Sequence, residues 1–119
     1  MNAVIRSSND IGTVLQRGRR VTAPLFSLHY VSHEMLRETT GEIPGPVIRV
    51  AYVAGKKNGN AVWRSRAKRK LRAAWQLQSV QLQPGIDIVL VARREIVWEN
   101  ARNIATMLDD VLVRAGLAQ

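Results

Sequence analysis

The positive charge of this chain lies in one segment of its sequence. Between Glu42 and Asp87 no acidic residue occurs, whereas nine of the 18 Lys and Arg residues fall there. The other nine bases equal the 9 Asp and Glu in number, so the formal net charge of +9 belongs to this segment. Such an imbalance, with a pI near 11.3, is typical of a domain that binds a polyanion. The nine bases are Arg49, Lys56, Lys57, Arg64, Arg66, Lys68, Arg69, Lys70 and Arg72.

Six of these bases lie on a predicted helix over residues 61–77. At about 100° per residue, its apolar side chains share one arc, which we expect to pack on a sheet. No acidic residue stands three or four positions from these bases, so like-charge repulsion costs stability that a bound polyanion would offset. The arc consists of Trp63, Ala67, Leu71, Ala74 and Trp75. The bases are Arg64, Lys68 and Arg72, which form a ridge spaced by four residues, and Arg66, Arg69 and Lys70 around it.

Two other interpretations of the basic helix stay open at this point. Its bases could form an ordinary solvated face, although such faces usually mix charges of both signs. The helix could also lie on an anionic membrane surface, as basic amphipathic helices do. The apolar arc is needed to cover a sheet, which disfavours the membrane alternative.

The residues just before the helix, 55–60, predict a tight turn that favours a phosphate. Gly55 and Gly59 permit close backbone geometry, and Asn60 is a predicted N-cap. The free N–H groups of the first helical turn attract anions. A Walker loop would need Gly-Lys followed by Ser or Thr, which is missing here, so nucleotide binding is unsupported.

The remaining patterns predict one α/β domain over residues 1–119, built as a two-layer sandwich with a mixed sheet of three to four strands. Ser8 or Asn9 is the predicted cap of the first helix, and Gly116 ends the last one. The strand over 86–92 is apolar enough to be central. The predicted elements are a helix over 7–16, a short strand over 20–22, a strand over 25–31, a loop over 34–46, a strand over 47–54, the basic helix, the strand over 86–92 and a helix over 98–115.

Several function classes are disfavoured by what the sequence lacks. There is no Cys, which excludes disulfides, thiol catalysis and a Cys-based zinc site. No apolar stretch approaches the roughly 20 residues of a membrane span, and the N-terminus does not read as a signal peptide. His29 and His33 are the two histidines, and neither has the carboxylate neighbours of a catalytic or metal cluster. We therefore expect a cytoplasmic protein without catalytic or metal-binding residues of its own.

Residues 49–72, RVAYVAGKKNGNAVWRSRAKRKLR, resemble the signature of the bacterial ribonuclease P protein component. The resemblance extends to residues 10–20 and 87–93, which are similar to the family's first helix and last strand, so it covers nearly the whole chain. The family motif has Asn where this chain has Ser65, and Ser where it has Gly55. The family's first helix usually presents two phenylalanines four residues apart, whereas this chain has Ile11 and Leu15.

This resemblance implies a left-handed β-α-β crossover and binding to a large catalytic RNA that removes the 5′ leader of precursor tRNA. The RNA and its Mg²⁺ would carry out hydrolysis, and the protein would need no cofactor, membrane or DNA. A structured-RNA-binding protein of the ribosomal type is the alternative. The positions matching the RNA-binding motif are Lys56, Lys57, Asn60, Arg64, Ser65, Arg66, Lys68, Arg69 and Arg72. The candidates for a leader cleft between the first helix and the sheet are Ile11, Leu15, Arg17, Arg19, Phe26, Leu28 and Tyr30, with Arg20 as a further nearby base.

Overall fold

The computed structural model describes residues 2–5, 7–40 and 47–119, which form a five-stranded mixed sheet with four helices. In space the strand order is β1-β4-β5-β3-β2. β1 and β5 lie parallel to β4, whereas β3 runs antiparallel to both β5 and β2. The strands are β1 (Asn2–Val4), β2 (Arg19–Thr22), β3 (Phe26–Ser32), β4 (Ile48–Val53) and β5 (Ile86–Ala92). The helices are α1 (Ser8–Arg17), α2 (His33–Thr40), α3 (Ala61–Leu77) and α4 (Ala101–Arg114).

Side-chain alternation along the strands creates a core on each face of the sheet. On one face, Ile88 and Leu90 of β5 pack with Leu71 of α3 and Leu108 of α4 in the larger core. On the other face, Val89 packs in a smaller core with residues of α1 and α2. Central β5 is apolar toward both sides because helices cover both. The face that carries the larger core is called the α3/α4 face below, and the face that carries the smaller core is called the α1 face.

The positions of the basic helix and of the central strand confirm the sequence prediction, and the helix forms a β-α-β crossover. α3 spans residues 61–77 and β5 spans 86–92, as predicted, and α3 links the parallel neighbours β4 and β5. Asn60 caps α3 by accepting a hydrogen bond from the backbone N–H of Trp63 at 2.9 Å. Gly116, at φ +76, ends the last helix in the left-handed conformation that glycine favours.

Other element predictions were wrong in ways that have local causes. The predicted loop over 34–46 begins with helix α2, and residues 41–46 lie outside the described residues. Ser7, rather than Ser8 or Asn9, caps α1. The last helix begins at 101 after the 3-10 turn Arg94–Trp98, since Asn100 supplies its cap. The predicted mixed-sheet α/β fold is confirmed, with β1 as a fifth strand and helices on both faces of the sheet.

A buried carboxylate joins four elements on the α1 face. Asp87 of β5 is fully buried and accepts hydrogen bonds at 2.8 Å from Nε of Arg49, its cross-strand partner on β4, and from Nε2 of His33 at the start of α2. Arg49 also reaches Asp10 of α1 at 3.5 Å. The hydrogen bond from Arg49 to Asp87 raises the pKa of that guanidinium, so Arg49 stays charged.

We predict that Asp87→Asn lowers the free energy of unfolding by about 3 kcal/mol, since it leaves the partly buried Arg49 charge with only the more distant, exposed Asp10 as a counter-charge. Chemical denaturation measures this change. Asp110→Asn is the matched control, because Asp110 forms an exposed pair with Arg114 on α4 and its loss should cost under about 0.5 kcal/mol. Equal effects of the two substitutions would contradict a structural role for the buried carboxylate.

Candidate nucleic-acid interface

Packing of α3 on the sheet fixes which way its bases point. Ala67, Leu71, Ala74 and Trp75 are buried against the α3/α4 face, which confirms most of the predicted arc, and Trp63 is half-buried at its end. The helix can turn no other stripe toward the sheet without burying charge. The basic side chains are therefore left on the outer surface, where Arg66, Lys68, Arg69 and Arg72 are exposed and Arg64 and Lys70 are half-exposed.

Within the described parts of the chain, none of the six bases of α3 forms an ion pair with an acidic side chain. Arg64 donates from its guanidinium to the carbonyl of Gly59 at 3.4 Å, which orders it at the start of the helix. Glu99 interacts electrostatically with one of these bases: its pKa is lowered chiefly by the backbone N–H of Asn100 and by Asn103, and to a smaller extent by Lys70. The surface is thus strongly positive and uncompensated.

The turn before α3 extends this positive surface. Lys56 and Lys57 lie exposed on the short 3-10 turn Lys56–Asn58, between the end of β4 and the start of α3. The first-turn N–H groups of α3 lie directly after them, and Asn60 occupies one as a cap. The two lysines and the N-terminal end of the helix dipole both favour an anion at this turn.

Gly59 sets the close approach between the turn and the helix. A Cβ at this position would lie 2.7 Å from both Cβ and Cγ of Trp63. The Trp63 ring has little freedom to move away, because its Nε1 donates to the carbonyl of Arg94 at 2.9 Å. The glycine is therefore required for its small size rather than for its backbone conformation.

We predict that Gly59→Ala destabilises the protein by about 1 to 3 kcal/mol, the usual cost of overpacking, and weakens binding to its polyanion by displacing Lys56 and Lys57. Thermal unfolding and a binding titration measure the two effects. Gly55→Ala is the control: its added Cβ meets nothing within 4 Å, so stability should stay unchanged or rise slightly. A neutral Gly59→Ala would show that the turn does not depend on this contact.

Two residues of the predicted motif have further features. Ser65 is exposed on the surface that carries the bases, where its short hydroxyl stands in place of the family's amide. Arg72, at the far end of the ridge, lies over the ring of Tyr52 on β4, with its guanidinium carbon 5.4 Å from the ring centroid. Burial raises the pKa of Tyr52 to about 12 against the opposing effect of Arg72, so the phenol is neutral at physiological pH.

Two of the predicted cleft residues, Phe26 and Leu28, lie on the wrong side of the sheet. Phe26 and Leu28 are fully buried on the α3/α4 face, and Tyr30 points the same way and donates from its hydroxyl to the carbonyl of Ala115 at 3.1 Å. The alternation along β3 correctly places Phe26, Leu28 and Tyr30 on one face of the sheet, but α1 covers the side chains of the opposite face. Phe26 and Leu28 are core residues under α4 and cannot line a groove beside α1.

The α1 face presents a different set of side chains. Val53 and Val91, which are paired across β4 and β5, are half-buried there, and His29 lies in the adjacent row. His29 shares a hydrogen bond of 2.9 Å with Ser27. Burial lowers the pKa of His29, and its cross-strand partner Arg20 lowers it further, so the ring favours the neutral form. These residues were missed because the sequence does not show which strand face α1 covers.

The remaining cleft candidates lie on or just after α1. Ile11 packs against the smaller core, whereas Leu15 is 37% exposed. Arg17 and Arg19 line a concavity of about 370 Å³ with Tyr30, Val31, Ser32 and Met35, at the end of α1. Leu15 therefore offers more surface to a ligand than the partly buried Ile11 does.

In the part of the chain that the structure describes, no histidine and acid come together as a hydrolytic centre. His33 pairs with Asp87, a partner that sequence distance concealed, but both side chains are buried and no nucleophile is seen bonded to them in the structure. Among residues 2–5, 7–40 and 47–119, no group of three His, Asp or Glu side chains is placed to hold a metal ion. In the same residues, no helix has the length and apolarity to cross a bilayer.

A mixed sheet with one uncompensated basic helix beside a phosphate-favouring turn defines a small α/β nucleic-acid-binding protein. The family model described as Ribonuclease P matches residues 1–116, and the chain belongs to this family. It is thus an RNA-binding subunit of a tRNA-processing ribonucleoprotein endonuclease, as predicted, rather than a protein of the ribosomal type.

Individual relatives agree with this assignment. The chain is 37% identical over 111 residues to the ribonuclease P protein component of Streptomyces griseus, covering 92% of this chain and 89% of that protein. It is 37% identical over 115 residues to that of Symbiobacterium thermophilum, covering 97% and 92%. The fold matches the RNase P proteins of Staphylococcus aureus (TM-score 0.73, 22% identity, 98% and 97% covered) and Thermotoga maritima (0.70, 19%, 92% and 94%).

Proposed function

We propose that α3 and the turn over residues 55–60 form the surface that binds the catalytic RNA of ribonuclease P. The observation that carries this proposal is the row of bases on α3 without an acidic partner among the described residues. Repulsion between these charges is unfavourable in the free protein, and RNA phosphates relieve it while releasing counterions. The bases that would make these contacts are Lys56, Lys57, Arg64, Arg66, Lys68, Arg69 and Arg72.

In this proposal the protein supplies binding and the RNA supplies the chemistry. Hydrolysis of the precursor would be carried out by the RNA and the Mg²⁺ ions that it holds, in the bacterial cytoplasm. The protein would contribute by neutralising phosphates where RNA helices approach one another, and by raising affinity for precursor tRNA. Ser65 would make at most a hydroxyl contact in place of the family's amide.

The 5′ leader of precursor tRNA would lie on the α1 face. Leu15 offers exposed apolar surface there, Val53 and Val91 offer a half-buried floor, and Arg20 supplies positive charge beside His29. No aromatic ring of α1 is available for stacking, because Ile11 and Leu15 replace the family's phenylalanines. Contacts between basic side chains and the phosphates of the leader would therefore account for more of its affinity than base stacking does.

Reconstitution with the catalytic RNA tests the first part of this proposal. We expect the protein to stimulate cleavage of a leader-bearing precursor, with an affinity for the RNA that falls steeply as salt rises. Lys68→Ala should lower the slope of log affinity against log salt by a little under one unit, and leave thermal stability unchanged or raised. Arg102→Ala, on the exposed side of α4, is the control and should leave the slope unchanged. A loss of stability with an unaltered slope would show that Lys68 is structural.

Leu15→Phe tests the leader path. A ring at this exposed position can stack on a base, which is worth roughly 1–3 kcal/mol, so the holoenzyme should bind a leader-bearing precursor about tenfold more tightly. Its affinity for mature tRNA should not change. Leu77→Phe, an equally conservative change at the exposed end of α3, is the control. The ratio of the two dissociation constants at one salt concentration is the measurement, and an unchanged ratio in folded Leu15→Phe would contradict this path.

A further inference from the structure

An open cavity of about 450 Å³ lies beside the C-terminal half of α3, at the sheet edge formed by β1 and β4. It is on the α3/α4 face of the sheet, and so on the opposite side from α1 and the groove proposed for the leader. Of its lining residues, Arg72 belongs to the predicted RNA-binding motif, and none belongs to the leader candidates. The cavity is lined by Val4, Val50, Tyr52, Arg72, Trp75, Gln76 and Gln78.

The lining has the chemistry of a nucleobase site. Tyr52 supplies aromatic surface and the nearly buried Trp75 an edge of its ring, and Val4 is 57% exposed at the open edge, which is unusual for an apolar residue of a strand. Gln76 is exposed at the rim and has both an amide donor and an amide acceptor for the edge of a base. A concave apolar wall with a few convergent polar groups is the usual form of a small-ligand site.

The position of Arg72 connects this cavity with the basic surface. Arg72 is the last base of the ridge that starts at Arg64 and continues through Lys68, with about 6 Å of helix axis between successive members. Its guanidinium is held over the Tyr52 ring, 5.4 Å from the centroid, and no ion pair with a described acid holds it elsewhere. An RNA strand that follows the ridge reaches the cavity at Arg72.

We propose that this cavity binds one unpaired nucleotide of the RNA held by α3, with its base between Val4, Tyr52 and Gln76 and its phosphate on Arg72. The identity of the RNA rests on the function proposed above, whereas the base-binding property is a feature of the cavity itself. Charge complementarity and continuity with the basic ridge favour RNA over a protein segment as the occupant. The neutral phenol of Tyr52 adds no charge that would repel the phosphate.

The first experiment compares two single-charge variants in the complex with the catalytic RNA. Val4→Asp places a carboxylate at the cavity, and Val113→Asp places one on α4 at a position of nearly equal exposure, 58%. Both change the net charge equally. We expect Val4→Asp to weaken RNA binding about tenfold or more, the range of one lost base-stacking contact with added repulsion, and Val113→Asp to change it by less than twofold. Equal effects would overturn the proposal.

The second experiment does not depend on the catalytic RNA. The indole N–H signal of Trp75 is followed by NMR while a single-stranded ribotrinucleotide is added to the full chain, with an abasic trinucleotide of equal charge and inorganic phosphate as controls. We expect the signal to shift with the base-bearing strand alone, and Gln76→Ala to reduce its affinity severalfold while the fold is retained. A shift of the same size with the abasic strand, or with an acidic peptide, would overturn base binding.

The two experiments distinguish failure of the proposed function from failure of the nucleotide site. If the chain does not bind the catalytic RNA but Trp75 responds to the trinucleotide, the proposed function is wrong and the nucleotide site stands. If the catalytic RNA binds with a steep salt dependence but Trp75 does not respond and Val4→Asp behaves as Val113→Asp does, the function stands and this site is wrong.

Discussion

The buried carboxylate of Asp87 is the interaction on which the arrangement of this structure depends. It lies in the central strand, and its two partners come from β4 and from the start of α2, while Arg49 continues to Asp10 of α1. A carboxylate in this position is unfavourable unless both partners are present, so it specifies the register of β4 against β5 and the position of both helices on that face. The larger core on the other face has no such polar requirement and tolerates the close packing of α3.

The basic surface depends on the apolar core of the α3/α4 face, which the polar network of the opposite face leaves undisturbed. α3 gains its stability from Leu71, Ala74 and Trp75, which are buried in the larger core, and from the Asn60 cap. These contacts offset the repulsion among its bases, which an isolated helix of this sequence would not withstand. The helix that carries the positive surface is therefore formed in the free protein, and binding of a ligand need not order its backbone.

Much of the fold and of the basic site could be predicted because the signals are local. Periodicity, the Asn60 cap and the bases of α3 all lie within one helical segment, and the apolar run of β5 identifies a central strand. The cleft residues could not be assigned in the same way, since alternation on β3 defines two faces without saying which one α1 covers. The pairing of His33 with Asp87 spans 54 residues, and β1 is only three residues long, so neither leaves a local pattern.

The strand order has a consequence for synthesis of the chain. β4 and β3 each pair with β5 and not with each other, and β5 is the last strand to leave the ribosome. Until residue 92 has emerged, β1 with β4 and β2 with β3 can form only two separate pairs, each with an open edge. The basic helix is made before the strand that closes the sheet. During that interval an uncovered apolar stripe and six positive charges are displayed together on a nascent chain, beside a ribosome whose surface is largely RNA.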